Sequence, residues 1–453
     1  MRERSLTDLR DSQIGPYVYP MVPSEFSNWR DEQRAWRETC ALFDQSRHMT
    51  DLTIEGPDVI RLLSALGVNS FATFQVNKAK QFVACNPDGH VIGDGILFFL
   101  DEDSVRLVGR PSAHNWVQYH AETQGYDVEV KRDERTAANP SGRRELYRYQ
   151  LQGPSAPQVL EKVADGSVPE IKFFNLGEIG IAGRKVRALH HGMSGAPGLE
   201  LFGPWEEGEE VKAAIVEAGS EFGLKQVGSR VYATNTLESG WIPSPLPAIF
   251  TGDEMKSYRE WLPAEGYEAT GSLGGSFYSD DIEDYYLTPH DLGYWPFVKF
   301  DHDFIGRDAL ERIADQPRRR KVTLQWNAED VTRAMGTMFE KGDAVKYIDF
   351  PLSNYATWPY DQVVLDGETV GLSTFSGYSY NERAMLSLAI LDVDIEIGSE
   401  VMLVWGEERC GSAKPVVERH EQAELRAIVS PCPYSEVARS SYADGWRSKA
   451  VHA

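Results

Sequence analysis

Cysteine is scarce in this 453-residue chain: Cys40, Cys85, Cys410 and Cys432 are the full complement, and no two form a Cys-x-x-Cys pair. Four thiols so widely spaced do not make a disulfide scaffold or a zinc ribbon, and they read as reduced thiols of a cytoplasmic protein. No run of 18 apolar residues occurs, so no transmembrane helix is expected. The opening MRERSLTDLRDSQ is charged and has no apolar core, so no secretory signal is expected. Positive charge is also short: 46 Lys and Arg stand against 69 Asp and Glu, a net charge of −23. Such a chain repels phosphate backbones and anionic headgroups, which argues against nucleic-acid and membrane partners. No Gly-x-x-x-x-Gly-Lys-Ser/Thr loop is present, and no Gly-x-Gly-x-x-Gly opens a helix after a strand, so nucleotide sites lack their fingerprints. The Cys/His pairs of a Rieske centre and an Asp-x-His-x-x-Gly corrinoid motif are missing too. His420-Glu421 starts like the zinc sequence His-Glu-x-x-His, but residue 424 is Glu, and Asp301-His302-Asp303 reads as a solvated charged turn. No metal site is expected.

What is there describes a folded, multidomain α+β chain. Hydrophobic residues make up 42% and aromatics 11%, ample area to bury, and the length suits two or three domains. SNWRDEQRAWRETCALF places Trp29, Trp36, Cys40 and Phe43 on one helical stripe with Ser27 as N-cap. TDLTIEG alternates as a strand, and PDVIRLLSALG reads as a helix entered at Pro57. KAKQFVACNPDGHVIGDGILFFL is a hairpin about Asn86-Pro87-Asp88-Gly89, extended by SVRLVGR into a meander, and a helix follows over about 112–123. The same kinds of element recur: strand YRYQLQGP, helix 155–164, a hairpin turning at Ala182-Gly183, strand LELFG, then the amphipathic WEEGEEVKAAIVEAGSEFG. ADQPRRRK (314–321) is a basic connector. Beyond it VVLDGETVGLSTF, LSLAIL, EVMLVWG, KPVVER and ELRAIV supply short strands of a small barrel or sandwich, ending in a polar tail. The expected division is an α+β body over 1–315 and a barrel-like domain over 320–453.

Five blocks, in order, carry a resemblance. LFDQSRHM (42–49), LQGP (151–154), HGMSGAPGLEL (191–201), VGSRVYATNTLESGW (227–241) and FVKFDHDFIGRDAL (297–310) are similar to the motifs of the aminomethyltransferase family, the glycine cleavage T protein and its relatives. The resemblance covers nearly the whole chain. It implies a folate-binding body of two intertwined α+β subdomains around a central hole, a C-terminal β-barrel, and one-carbon transfer with tetrahydrofolate. It also implies that Glu200 bonds the pterin, as a carboxylate accepts from adjacent N–H donors; the plainer alternative is a strand-edge salt bridge. The Asp-Asp pair of the glycine cleavage enzymes is Gly93-Asp94 here, which puts aminomethyl transfer in doubt.

QIGPYVYP, EFSNWR, HVIGDGI, SRVYATNTLESGWIPSPLPAI, REWLPA and TGSLGGSF resemble, more closely, the tetrahydrofolate-dependent aryl O-demethylases. That resemblance implies methyl transfer from a methoxybenzoate (vanillate, 3-O-methylgallate or syringate) to N5 of tetrahydrofolate, leaving a catechol-type acid. By block matching, the substrate residues fall on Tyr19, Gln45, His48, Arg110 and Tyr232, and the folate residues on Val108, Glu200 and Trp241. The chemistry fits those residue types. A phenoxide is a poor leaving group, and the Tyr232 phenol can donate to the ether oxygen. Arg110 offers a carboxylate a bidentate fork. His48 can bond a ring hydroxyl, and Trp241 offers the pterin a stacking face. The alternatives are a core tyrosine, a surface ion pair, a satisfied core histidine and a plain core tryptophan. Competing functions are a same-fold demethylase of a chlorinated methoxybenzoate or a sulfonium donor, a non-catalytic folate-binding protein, and a subunit of an amine oxidoreductase. The chain is expected as a monomer or homo-oligomer.

Overall fold

The computed structural model describes residues 2–315, 319–408 and 412–440. Two sheets face each other, each backed by its own helices; the five-stranded one is antiparallel throughout, and the six-stranded one has a single parallel pair, Cys40–Asp44 with Leu224–Val227. A five-stranded sheet runs in the order Ala79–Cys85, Val91–Asp101, Ser104–Gly109, Thr50–Glu55, Glu129–Asp133. A six-stranded sheet runs Leu176–Ile181, Arg184–Leu189, Gly198–Pro204, Leu146–Gln152, Cys40–Asp44, Leu224–Val227. The recurrence in the sequence is thus a structural repeat: hairpin, third strand and first strand occupy the same order in both sheets. Each repeat leaves its first strand through a glycine at positive φ, Gly56 at 136° and Gly153 at 137°. A Cβ at either would meet a carbonyl oxygen at 2.4 Å, that of Asp127 or Thr39.

Alternation along these strands sorts their side chains. Leu52, Ile54, Val105 and Leu107 point outward onto the helices Val59–Leu66 and Pro111–Thr123. Tyr147, Leu151, Leu199 and Leu201 point outward onto the helices Ala156–Val163 and Gly208–Gly219. The residues between them, Phe98 and Val108 from one sheet and Leu189 and Phe202 from the other, meet in the space between the sheets.

The C-terminal part closes a six-stranded barrel, because Arg319–Trp326 pairs on one side with Ala384–Asp392 and on the other with Ala423–Ser430. Closure leaves no strand edge. The α+β body with a terminal barrel agrees with the expectation.

Several local expectations are corrected. The helix read over 27–43 stops at Glu38; its N-cap is Asn28, which accepts from Asp31 N, and Thr39 breaks it at φ −135°, ψ −102°. Cys40 and Phe43 instead lie on Cys40–Asp44, a strand buried on both faces, so its apolar run mimics a helical stripe. The connector is shorter than expected, since Arg319, Arg320 and Lys321 already pair in the barrel. KPVVER is no strand but a run of turns, which fixes the buried Lys414 by a bond from its ammonium to Arg10 O at 3.2 Å. Nor is Asp301-His302-Asp303 simply solvated: His302 Nε2 bonds Gly67 O at 3.0 Å. His420 is fully buried, its Nε2 accepting from Glu407 N. Cys40, Cys85 and Cys432 are free; Cys410 and the tail from 441 lie outside the described residues.

Candidate active site

The segment 12–28, which has neither helix nor strand, lays Tyr17 and Tyr19 across the body. Tyr17 Oη donates to the His48 carbonyl. The Tyr19 ring lies 4.7 Å from that of Tyr232 and 4.8 Å from His48, and His48 and Tyr232 are also 4.8 Å apart. Tyr232 ends the four-residue helix Ser229–Tyr232 and packs edge-on against Phe43. The helix is held from outside by Glu32, whose buried carboxylate accepts from Gly228 N at 2.8 Å and from Phe26 N and Ser27 N at 2.7 Å each. One carboxylate therefore fastens both the strap that carries Tyr19 and the turn that carries Tyr232.

Burial, reinforced by Tyr19, holds the Tyr232 phenol well above its usual range, so its proton stays on at neutral pH. The hydroxyl faces Met193 Sδ at 3.6 Å, which also receives Gln45 Nε2 at 3.0 Å. Gln45 Oε1 is buried without a partner. Burial first, then Arg110, Arg144 and Arg148, pushes the His48 imidazole down to about 3.

Arg110 ends the strand Ser104–Gly109 and caps the helix Pro111–Thr123. Its guanidinium lies over the Tyr17 ring at 5.2 Å, and Arg135 covers Tyr17 at 5.3 Å and Tyr267 at 5.2 Å. Neither arginine has a carboxylate partner among the described residues, so the ion-pair alternative for Arg110 falls away. Arg110 and Tyr19 line a cavity together with Tyr17, Ser244, Asn354 and Trp358. Tyr232, His48 and Gln45 are not in its wall; they stand behind the shared ring of Tyr19.

Glu200 lies on the inner face of the six-stranded sheet, where Arg148 Nη1 bonds its Oε1 at 2.5 Å. Arg148 also reaches Asp51 of the other sheet at 3.1 Å, and Arg144 joins Asp51 at 2.8 Å and Asp133 at 3.0 Å. Directly opposite Glu200 in register is Gln150, whose Nε2 donates to His191 O and whose buried Oε1 has no partner. An orphaned acceptor beside a carboxylate is what adjacent N–H donors of a pterin require, so the residues present fit that group. The sequence reading missed Gln150, although the alternation Arg148, Gln150, Gln152 in YRYQLQ marks a polar inner face. Val108 is buried between the sheets. Trp241 is 41% exposed at the rim, its indole beside Asp94 and Tyr294.

Burial pushes the Asp94 carboxyl up; it accepts from Ser244 Oγ at 2.5 Å and Tyr294 Oη at 2.7 Å. The neighbouring Gly93 cannot carry a carboxylate here, since its Cβ would sit 2.7 Å from Ala113 N. Among the described residues, no group of three or more His, Cys, Asp or Glu is placed to hold a metal ion.

An inner layer of paired charges between two repeated α+β units, with a barrel behind them, defines the aminomethyltransferase class of fold. The structure of glycine cleavage system aminomethyltransferase T from Bartonella henselae superposes with a TM-score of 0.60 over 93% of this chain and 92% of that one, at 18% identity. Residues 12–244 match the GCVT N-terminal domain family. The chain is 50% identical over 442 residues to a syringate O-demethylase of Sphingobium sp., covering 97% of this chain and 96% of that protein. It is 30% identical over 445 residues to a sesamin methylene transferase of Sinomonas sp., covering 94% and 93%. The chain belongs to the GCVT family.

Proposed function

We propose that this protein is a tetrahydrofolate-dependent O-demethylase of methoxybenzoates, with syringate, vanillate and 3-O-methylgallate as the substrate class. Arg110 carries the reading: a guanidinium in a cavity wall, held by aromatic rings and in no ion pair among the described residues, in a chain of net charge −23. A benzoate satisfies it bidentately. Extensive likeness to a syringate O-demethylase supports the same chemistry.

When bound, tetrahydrofolate supplies the nucleophilic amine that accepts the methyl group. The protein's part is positioning and charge stabilisation. Glu200 and Gln150 offer acceptors to the pterin edge, Val108 an apolar contact, and Trp241 a stacking face at the rim. Arg110 fixes the carboxylate of the benzoate. His48, neutral above pH 4 or so because its imidazole is pushed down to about 3, accepts or donates a hydrogen bond to a ring hydroxyl without adding charge. Tyr232, held as a neutral phenol across the Tyr19 ring from the Arg110 cavity, is the donor for the ether oxygen as that oxygen takes on phenoxide charge, which requires the substrate ring to displace Tyr19, and Gln45 lies beside it.

The test is incubation of the purified protein with tetrahydrofolate and each of the three methoxybenzoates, followed by chromatography of the folate products. Stoichiometric 5-methyltetrahydrofolate and demethylated acid are expected. Formation of neither with any of the three overturns the reading.

A further inference from the structure

The cavity that Arg110 lines has a second wall, contributed from far along the chain. Residues 352–360 lead into the barrel and are pinned to the body by a short parallel ladder, Leu273 with Trp358 and Gly274 with Pro359. Two residues of this segment present buried donors with no partner. The Trp358 side chain is 2% exposed and its Nε1–H is unsatisfied. Asn354 is 9% exposed; its Oδ1 accepts from Ser376 N at 3.1 Å, which fixes the orientation of the amide and leaves Nδ2 as the unsatisfied end. Buried N–H groups without acceptors are rare and costly, so two in one cavity wall need an explanation. Among the described residues, no Asp or Glu lines this cavity. The Trp358 ring packs against that of Tyr267 in a T-shaped pair with centroids 5.7 Å apart, and the Tyr267 hydroxyl lies beside Arg110.

We propose that Asn354 and Trp358 are substrate-binding residues that donate, together with Arg110, to the anionic group of the methoxyarene, and that this wall sets the preference for carboxylated over uncharged substrates. The three residues line one cavity, from the body and from the barrel segment; the Trp358 and Asn354 donors lack an acceptor, and Arg110 has no carboxylate partner among the described residues. The inference deepens the demethylase reading and rests on it for the identity of the substrate. It does not rest on turnover.

The decisive pair of ligands is syringate and 2,6-dimethoxyphenol, the same ring without the carboxylate. Asn354→Asp keeps the acceptor to Ser376 N–H but removes the Nδ2 donor and puts a negative charge in the wall. Trp358→Phe keeps an aromatic ring but removes the N–H together with part of the bicycle, so the uncharged ligand and the melt report the packing that is lost. Binding of both ligands is measured by calorimetry without folate, alongside a thermal melt of each variant. Trp358→Phe should weaken syringate about tenfold, the value of one hydrogen bond to a charged group. Asn354→Asp should weaken it on the order of a hundredfold, as like charges are brought together. Binding of 2,6-dimethoxyphenol should change less than about threefold in both. In turnover the loss should appear in KM, with kcat little changed. Equal weakening of both ligands, unchanged syringate binding, or a wild type that does not prefer syringate would each overturn the proposal. If Asn354→Asp fails to fold, Trp358→Phe decides alone. A wild type that binds syringate selectively but never demethylates it would sink the demethylase reading and leave this wall standing.

Discussion

At the scale of single residues, the site works with neutral groups where charge would be costly. Tyr232 keeps its proton because burial disfavours the phenolate. Tyr232→Phe should therefore lower kcat by about 10²–10³, the usual loss for one such donor, while syringate binding and the melting temperature stay near wild type. Steady-state kinetics beside a thermal melt check this. His48 makes a prediction about pH. In the unfolded chain the imidazole takes a proton below its ordinary 6.5, but in the fold only near 3. Acidification through 6.5 thus favours the unfolded state, and the stability tied to neutral His48 is present above 6.5 and lost progressively below it. Denaturation curves at pH 7.5 and 5 should show wild type losing more stability on acidification than His48→Gln. The residue types of Tyr232, Arg110 and Glu200 were legible in the sequence because motif blocks surround them. Asn354 and Trp358 were not: no local pattern marks them, and their donors acquire meaning only where residues some 240 positions away, such as Arg110, share the cavity.

At the scale of elements, Glu32 shows how a short helix is placed. Ser229–Tyr232 has only four residues and cannot hold itself, since isolated helical turns are unstable. Its start is tied to Glu32 on the helix Trp29–Glu38, which also anchors the strap. Glu32→Ala should cost about 3 kcal/mol, from several buried N–H groups left unpaired. It should also lower kcat, because Tyr19 and Tyr232 lose their common anchor. Chemical denaturation and kinetics on the same preparation would show the two effects together. The recurrent strand and helix units could be read from alternation, Pro and Gly. The break at Thr39 could not, because a strand buried on both faces carries no period of its own, and Cys40 and Phe43 continue the helical spacing by coincidence.

For the whole molecule, the inner layer between the sheets is ionic as well as apolar. Arg148 spans the gap, bonding Glu200 of one sheet and Asp51 of the other, with Phe98 and Phe202 against its guanidinium at 4.8 and 5.1 Å. Removing one partner of a buried ion pair leaves an uncompensated charge. Arg148→Met should destabilise the protein by about 3–5 kcal/mol. It should also weaken tetrahydrofolate binding, measured by fluorescence titration, since Glu200 would lose its fixed orientation. The fold class was visible as a resemblance spread along the chain, whereas this layer was not, because it forms only when two strands a hundred residues apart turn the same face inward.

The wall built from Arg110, Asn354 and Trp358 also bears on how such an enzyme could change its diet. A ring lacking an anionic substituent would strand several N–H groups at once, and filling only one of those positions with an apolar side chain would leave the others still stranded. A descendant adapted to neutral aryl ethers would have to alter the body and the barrel segment together, so one-step intermediates should handle both kinds of compound poorly.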